Sequence, residues 1–164
     1  MNFLRRAGDE AARCLASFFY LGYSPVASGT VGALGGVVVF LLLKLLVPRW
    51  FQRPPPAGYF LFLAVFFLIG VFSAGRGERL WKQKDASFIV IDEAFSFFLT
   101  MFLLPARPGI MIIGFLLNRV FDVRKPFPCS YLEGLPGGWG VMLDDVVAGI
   151  YSNVLLHLIL VLTR

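Results

Sequence analysis

The stretch Gly137–Leu162, GGWGVMLDDVVAGIYSNVLLHLILVL, decides the fold because it joins a lipid-compatible run to two adjacent carboxylates. A membrane-spanning helix needs about 20 predominantly apolar residues, and the run from Val141 to Leu162 has that length. Asp144 and Asp145 stand near its start, where a charge without a partner is costly. We therefore expect a membrane helix whose first turns carry part of a polar site.

The composition indicates an integral membrane protein. Hydrophobic residues make up 58% of the chain and the mean hydropathy is +0.77, whereas soluble domains are roughly 45–50% apolar. The formal charge of +5 resides in short basic groups between apolar runs, without a basic helix. This pattern favours cations beside anionic membrane lipids and argues against a nucleic-acid partner. We expect residues 1–164 to form one membrane domain.

The chain contains five apolar segments, the final run included. Val31–Val47, Gly58–Ala74 and Val141–Leu162 are long enough to span, while Phe88–Leu104 and Ile110–Leu117 form a shorter middle hairpin. Lipid offers backbone groups no hydrogen-bond partner, which favours helices throughout. The sequence thus predicts an all-α, multi-pass membrane protein with about four membrane segments, in which the middle hairpin either crosses or is re-entrant.

Alternating these segments across the membrane places every polar cluster on one side. The clusters are SPVASGT, KDASFIVIDE and the stretch from NRVFDVRKPFP to LDD. Of the 15 Lys and Arg residues, five fall on the opposite side: Lys44, Arg49, Arg53, Arg107 and Arg164. The remainder accompany the polar clusters, and the positive-inside rule then assigns that side to the cytoplasm.

Five carboxylates lie at or inside apolar segments on this side: Asp92, Glu93, Asp122, Asp144 and Asp145. We expect the other acids, Glu133 included, to be solvated. Neighbours on a helix differ by about 100°, so one member of each adjacent pair should face the centre while the other bridges sideways or caps. Clustered carboxylates repel unless a cation lies among them, and hard oxygen ligands favour Mg²⁺. The five acids are therefore candidate ligands for one or two Mg²⁺ ions.

Candidate anion-binding groups accompany the acids. Ser28, Gly29 and Thr30 open a helix whose free backbone N–H groups suit a phosphate. A second set of candidate phosphate ligands lies in NRVFDVRKP: Arg119, Arg124 and Lys125. Acids for a metal beside cations for an anion are typical of phosphoryl chemistry.

Four segments in this order resemble the phosphatidylglycerophosphatase A family: GYSPVASGTVGAL, SFIVIDE, NRVFDVRKPFP and GGWGVMLDDVVAG. The resemblance implies a bacterial inner-membrane enzyme that uses Mg²⁺ to hydrolyse the terminal phosphate of phosphatidylglycerophosphate, giving phosphatidylglycerol and phosphate. By motif position, the family's polar site falls on Ser28, Gly29 and Thr30, on Lys125 and on the five acids.

The resulting hypothesis assigns catalysis to Asp92, Asp122, Lys125, Asp144 and Asp145. Lys125, helped by Arg119 or Arg124, neutralises the phosphomonoester while water at the magnesium site attacks phosphorus and one carboxylate acts as base. An aspartyl-phosphate intermediate is the alternative route. Two other function classes remain, an ion-binding transporter and an inactive partner subunit. The acids cluster at one membrane edge, which argues against an ion pathway.

Overall fold

Seven helices make up the regular α-structure of the residues that the computed structural model describes, 3–52 and 55–163. Two 3₁₀ turns, Leu21–Tyr23 and Pro48–Phe51, lie between them. The helices are α1 Phe3–Ala16, α2 Ser28–Leu46, α3 Ala57–Trp81, α4 Ile91–Thr100, α5 Pro108–Arg124, α6 Cys129–Leu132 and α7 Gly138–Leu162. The predicted all-α class is confirmed. Arg53 and Arg164, both used in the charge count, lie outside the described residues.

Three helices of the described ranges are long and apolar enough to cross a membrane: α2, α3 and α7. At most 28% of the apolar window of each is buried inside the protein. Large side chains such as Leu45 and Phe72 are accordingly exposed, as expected for surfaces that face lipid rather than water. The protein is therefore a multi-pass membrane protein. Helix α3 continues to Trp81, beyond the predicted end at Ala74.

The middle hairpin consists of α4 and α5. With 10 residues, α4 is about 15 Å long at about 1.5 Å per residue, half of the roughly 30 Å hydrocarbon core. It packs against α2, α3, α5 and α7, and Phe97 and Phe98 at its centre are fully buried. Helix α4 is thus a central helix enclosed by the others and too short to span alone. This length agrees with the re-entrant form of the hairpin.

Small residues let the neighbouring helices approach α4 closely. A Cβ added at Gly32 of α2 would overlap the side chain of Val90, and one at Gly36 would overlap the backbone of Ala94. On the opposite side, a Cβ at Gly149 of α7 would meet the backbone of Ser96. Close helix packing at small residues is common in membranes. It holds the first turn of α4 between α2 and α7.

Helix α1 packs along α3. The two are tied by an ion pair in which Arg76 of α3 donates to Asp9 of α1. The prediction that Asp9 is merely a solvated charge is wrong, because α1 lies against the end of α3 that carries Arg76. Glu10 is exposed and pairs with Arg13 one turn later, at 3.2 Å. Helix α1 therefore belongs to the bundle, at the end where the polar clusters meet.

Candidate active site

Three carboxylates converge where the first turn of α4 meets α7. Oxygen atoms of Asp92, Glu93 and Asp145 all lie within 4.8 Å of one another. Asp92 and Asp145 are buried, with 8% and 2% of their surface exposed. Asp92 Oδ1, Glu93 Oε2 and both Asp145 carboxylate oxygens are buried without a hydrogen-bond partner. Such a set of unsatisfied hard oxygens fits a divalent cation such as Mg²⁺, which would also relieve the repulsion between the acids.

The two adjacent acid pairs behave differently. Asp144 and Asp145 diverge as the 100° helix rotation predicts: Asp145 joins the cluster, whereas Asp144 Oδ2 accepts a hydrogen bond from Lys125 Nζ at 2.9 Å. Asp92 and Glu93 instead both contribute to the cluster. The prediction that only one of them faces the centre is wrong. The longer glutamate side chain gives Glu93 the reach to join Asp92 at the same point.

Lys125 lies just past the end of α5 and contacts two carboxylates. Besides Asp144, its Nζ pairs with Glu133 Oε2 at 3.1 Å. Burial lowers the pKa of Lys125, but the hydrogen bonds and negative charges of Asp144 and Glu133 outweigh burial and raise that pKa above its ordinary value. The ammonium is therefore firmly charged. The prediction that Glu133 is merely solvated is wrong, because the short helix α6 returns the chain to Lys125.

Arg119 and Asp122 form the next part of the site, nearly two turns and about one turn before Lys125. Arg119 Nη1 pairs with Asp122 Oδ2 at 3.2 Å, while Arg119 Nε and Nη2 are buried without a hydrogen-bond partner. Asp122 also lies beside Asp145, close enough for the two carboxylates to repel each other. Arg119 therefore keeps free donors beside the acids. Arg124, the other arginine predicted to bind phosphate, is exposed at the end of α5.

The N-terminus of α2 approaches this site through Gly29. A Cβ added there would overlap Glu93 Oε1 and come within 3.2 Å of Arg119 Nη1. Ser28 and Thr30 flank it in the first turn and are half-buried. Glycine thus permits the backbone to lie against the acid–arginine pair. The free N–H groups of this first turn lie at the same end of the bundle as the acids.

Two residues of the site went unassigned in the sequence interpretation. Asn118 Nδ2 donates to Ser96 Oγ at 2.6 Å, and Ser96 Oγ donates to the backbone carbonyl of Asp145 at 2.7 Å. Both side chains are almost fully buried. This chain of hydrogen bonds links α5, α4 and α7 at the level of the acids. The available signal was a Ser one turn after Asp92 and an Asn beside Arg119, each in an apolar segment.

Fold and site together define a multi-pass helical membrane protein with an acidic, metal-type cluster flanked by the partly buried cations Arg119 and Lys125. The family model described as phosphatidylglycerophosphatase A matches residues 14–160. The chain belongs to that family. The resemblance seen in the sequence is confirmed, and so is the expectation of a phosphatase, an enzyme that hydrolyses phosphomonoesters.

Similar proteins occur in several bacteria. A Bacteroides thetaiotaomicron protein, whose name provisionally assigns it as a phosphatidylinositol-3-phosphatase, is 33% identical over 141 residues, covering 84% of this chain and 86% of its own. Proteins named phosphatidylglycerophosphatase A are 31% identical in Escherichia coli, over 88% of this chain and 81% of theirs, and 34% identical in Haemophilus influenzae, over 88% and 86%. No solved structure matches the chain.

Proposed function

We propose that the protein hydrolyses phosphatidylglycerophosphate to phosphatidylglycerol and phosphate, with Mg²⁺, at the cytoplasmic face of a bacterial inner membrane. The observation that carries the proposal is the buried cluster of Asp92, Glu93 and Asp145 beside the free donors of Arg119. Family membership supports the substrate. The cytoplasmic orientation rests on the excess of Lys and Arg at this end of the bundle.

Each part of the site has a role in this proposal. Asp92, Glu93 and Asp145 would hold the metal, with Asp122 close by; bound Mg²⁺ would polarise the phosphoryl oxygens and activate water. Arg119 offers Nε and Nη2 to the terminal phosphate. Lys125 reaches the same phosphate by exchanging one of its two carboxylate partners.

The proton balance needs only one carboxylate. Attack by water forms a bond to phosphorus and breaks the bond between phosphorus and the glycerol oxygen. The proton lost from water passes to a carboxylate oxygen of the cluster, and the carboxylic acid so formed returns that proton to the glycerol oxygen, which leaves as a hydroxyl. Asp92 Oδ1 and the oxygens of Asp145 have no hydrogen-bond partner in the described structure, which leaves them free to accept that proton. A covalent phosphate on one of these aspartates is the alternative route.

Phosphate release tests the proposal. Purified protein in mixed micelles should release phosphate from phosphatidylglycerophosphate when Mg²⁺ is present and lose that activity in EDTA. The Asp145→Asn variant serves as the inactive control. Absence of release by folded wild-type protein at any Mg²⁺ concentration would overturn the substrate, and release undiminished by EDTA would overturn the metal.

A second substrate follows from the name of the Bacteroides relative. Phosphatidylinositol 3-phosphate also carries a phosphomonoester on a lipid headgroup, and the acids and cations suit either substrate. Measuring kcat/KM for both lipids in the same micelles separates them. We expect phosphatidylglycerophosphate to have the higher value, and a higher value for the inositol lipid would reassign the substrate.

A further inference from the structure

An apolar groove of about 310 Å³ runs between α2 and α5. Both helices pack on α4, and the space between them stays open. Its walls include Leu34, Val37 and Leu41 from α2 and Met111, Ile112 and Leu116 from α5. The two helices run in opposite directions, so residues early in α2 face residues late in α5. One end of the groove therefore lies near the start of α2 and the end of α5.

That end adjoins the polar site. Gly29 of α2 lies against Glu93 and Arg119. Leu116 precedes Arg119 by three residues, and Leu34 follows Gly29 by five, which places both about one helical turn further into the membrane. The groove thus ends about one helical turn from the acids and from the free donors of Arg119. A molecule whose phosphate meets Arg119 would extend its apolar part into this groove.

The length and lining of the groove suit a hydrocarbon chain. Its walls are apolar and extend about 10 Å along α2, from Leu34 to Leu41. From Thr30 to Leu41 the distance is about 16 Å, close to the roughly 15 Å depth of one leaflet.

We propose that one acyl chain of the lipid substrate lies in the α2–α5 groove while its phosphate occupies the site above. This inference rests on the proposed function, since it assigns the position of that substrate's chain. The second chain stays in the surrounding bilayer. An acyl chain in a bilayer is already out of water, so its burial in the groove adds little binding free energy. Its contribution is orientation, because it aligns the headgroup with Arg119 and the acids.

Adjacent residues provide matched variants. Ile112 and Leu41 line the groove, whereas their exposed neighbours Ile113 and Leu42 do not. Tryptophan at Ile112 or Leu41 should block the groove and lower kcat/KM for a dioleoyl substrate about tenfold, since misplacing a reacting group by about 1 Å is enough for such a loss. Activity on a short-chain analogue with the same headgroup should stay within about twofold. Ile113→Trp and Leu42→Trp should leave both substrates unaffected.

Cross-linking locates the chain without relying on turnover. Phosphatidylglycerophosphate with a photoreactive group on its acyl chain should label α2 and α5, and Ile112→Trp should reduce that labelling while Ile113→Trp should not. Equal kinetics for groove and control variants, or labelling confined to α1, α3 or a second copy of the chain, would overturn the proposal. Specific labelling of α2 and α5 by a protein that fails to release phosphate would instead count against the proposed function alone.

Discussion

The adjacent acids Asp144 and Asp145 face different partners and therefore have different roles in the site. Asp145 offers two buried, unpartnered oxygens to the acid cluster. Asp144 is bonded to Lys125 and also accepts a hydrogen bond from the backbone N–H of Asp145. One residue therefore belongs to the metal-type cluster, and the other positions a cation.

Changing these two acids to Asn separates the roles. Asp145→Asn should reduce phosphate release by roughly 10²-fold or more, because it removes a ligand from the cluster. Asp144→Asn should act mainly by raising KM, because Lys125 loses its closest partner and its fixed position. Steady-state kinetics with the substrate measures both effects. Folded variants of equal, near wild-type activity would contradict the assigned division.

In the proposed mechanism, Glu133 competes with the substrate for Lys125. The pair is partly exposed, with 28% and 36% of the two side chains accessible, so its strength is modest. Glu133→Gln should lower KM by about two- to fivefold, which is the range an exposed ion pair supports. Glu10→Gln, which removes the remote pair with Arg13, is the matched control. A KM that rises in Glu133→Gln would show that Glu133 helps to bind the substrate.

Helix α4 lies at the centre of the bundle, and the other helices that carry site residues pack against it. Its first turn supplies two acids, its middle supplies Ser96, and glycines on α2 and α7 allow both neighbours to pack tightly against it. The acids of α4 and α7 meet because of that close contact. A change in helix spacing should therefore reach the site even when no polar residue is altered.

Gly36→Ala tests this dependence on spacing. The added Cβ would lie 2.6 Å from the carbonyl oxygen of Ala94, and such overpacking lowers the free energy of unfolding by about 1–3 kcal/mol. Gly109→Ala at the start of α5 is the control, since nothing lies within 4 Å of the new Cβ. Thermal unfolding in detergent compares the two. Equal melting temperatures would show that α2 moves to accommodate the new methyl group without a loss of stability.

Sequence reasoning located the elements better than their contacts. Length and hydropathy predicted the spans. They did not predict the full length of α3, whose last turns, up to Trp81, lie beyond the apolar segment that was predicted to end at Ala74. Topology placed the acids on one side. The helix period, however, gives only relative angles, so it could not show that Asp92 and Glu93 converge. Nor could hydropathy reveal the turn through α6 that brings Glu133 to Lys125.

At the scale of the whole molecule, the repulsion between buried carboxylates is concentrated where α4 meets α7. The cluster joins acids of α4 and α7, and Asp122 of α5 lies beside Asp145. A cation bound there would link three helices. Stability and ligand occupancy should therefore be coupled throughout the bundle.

Added Mg²⁺ should raise the melting temperature of the purified protein, and EDTA should reverse the rise. A single ligand at about 100 times its Kd stabilises the folded state by about 2.7 kcal/mol. Asp145→Asn should abolish most of this response and, without Mg²⁺, melt no lower than wild type because one repulsive charge is gone. Differential scanning fluorimetry measures both. An Asp145→Asn variant that responds fully to Mg²⁺ would place the ion elsewhere.

If Lys125 binds the terminal phosphate as proposed, its pairing with both Asp144 and Glu133 would also make the site selective by charge. Membranes contain anionic phospholipids, and an unpaired lysine at the membrane surface would attract all of them. A phosphodiester headgroup offers one negative charge, whereas a terminal phosphomonoester carries about −1.5 to −2 near neutral pH. Only the more highly charged group competes well with Glu133 for the ammonium. On this proposal the lipid product would lose that advantage after hydrolysis, so Glu133 would pair with Lys125 again and the product would leave.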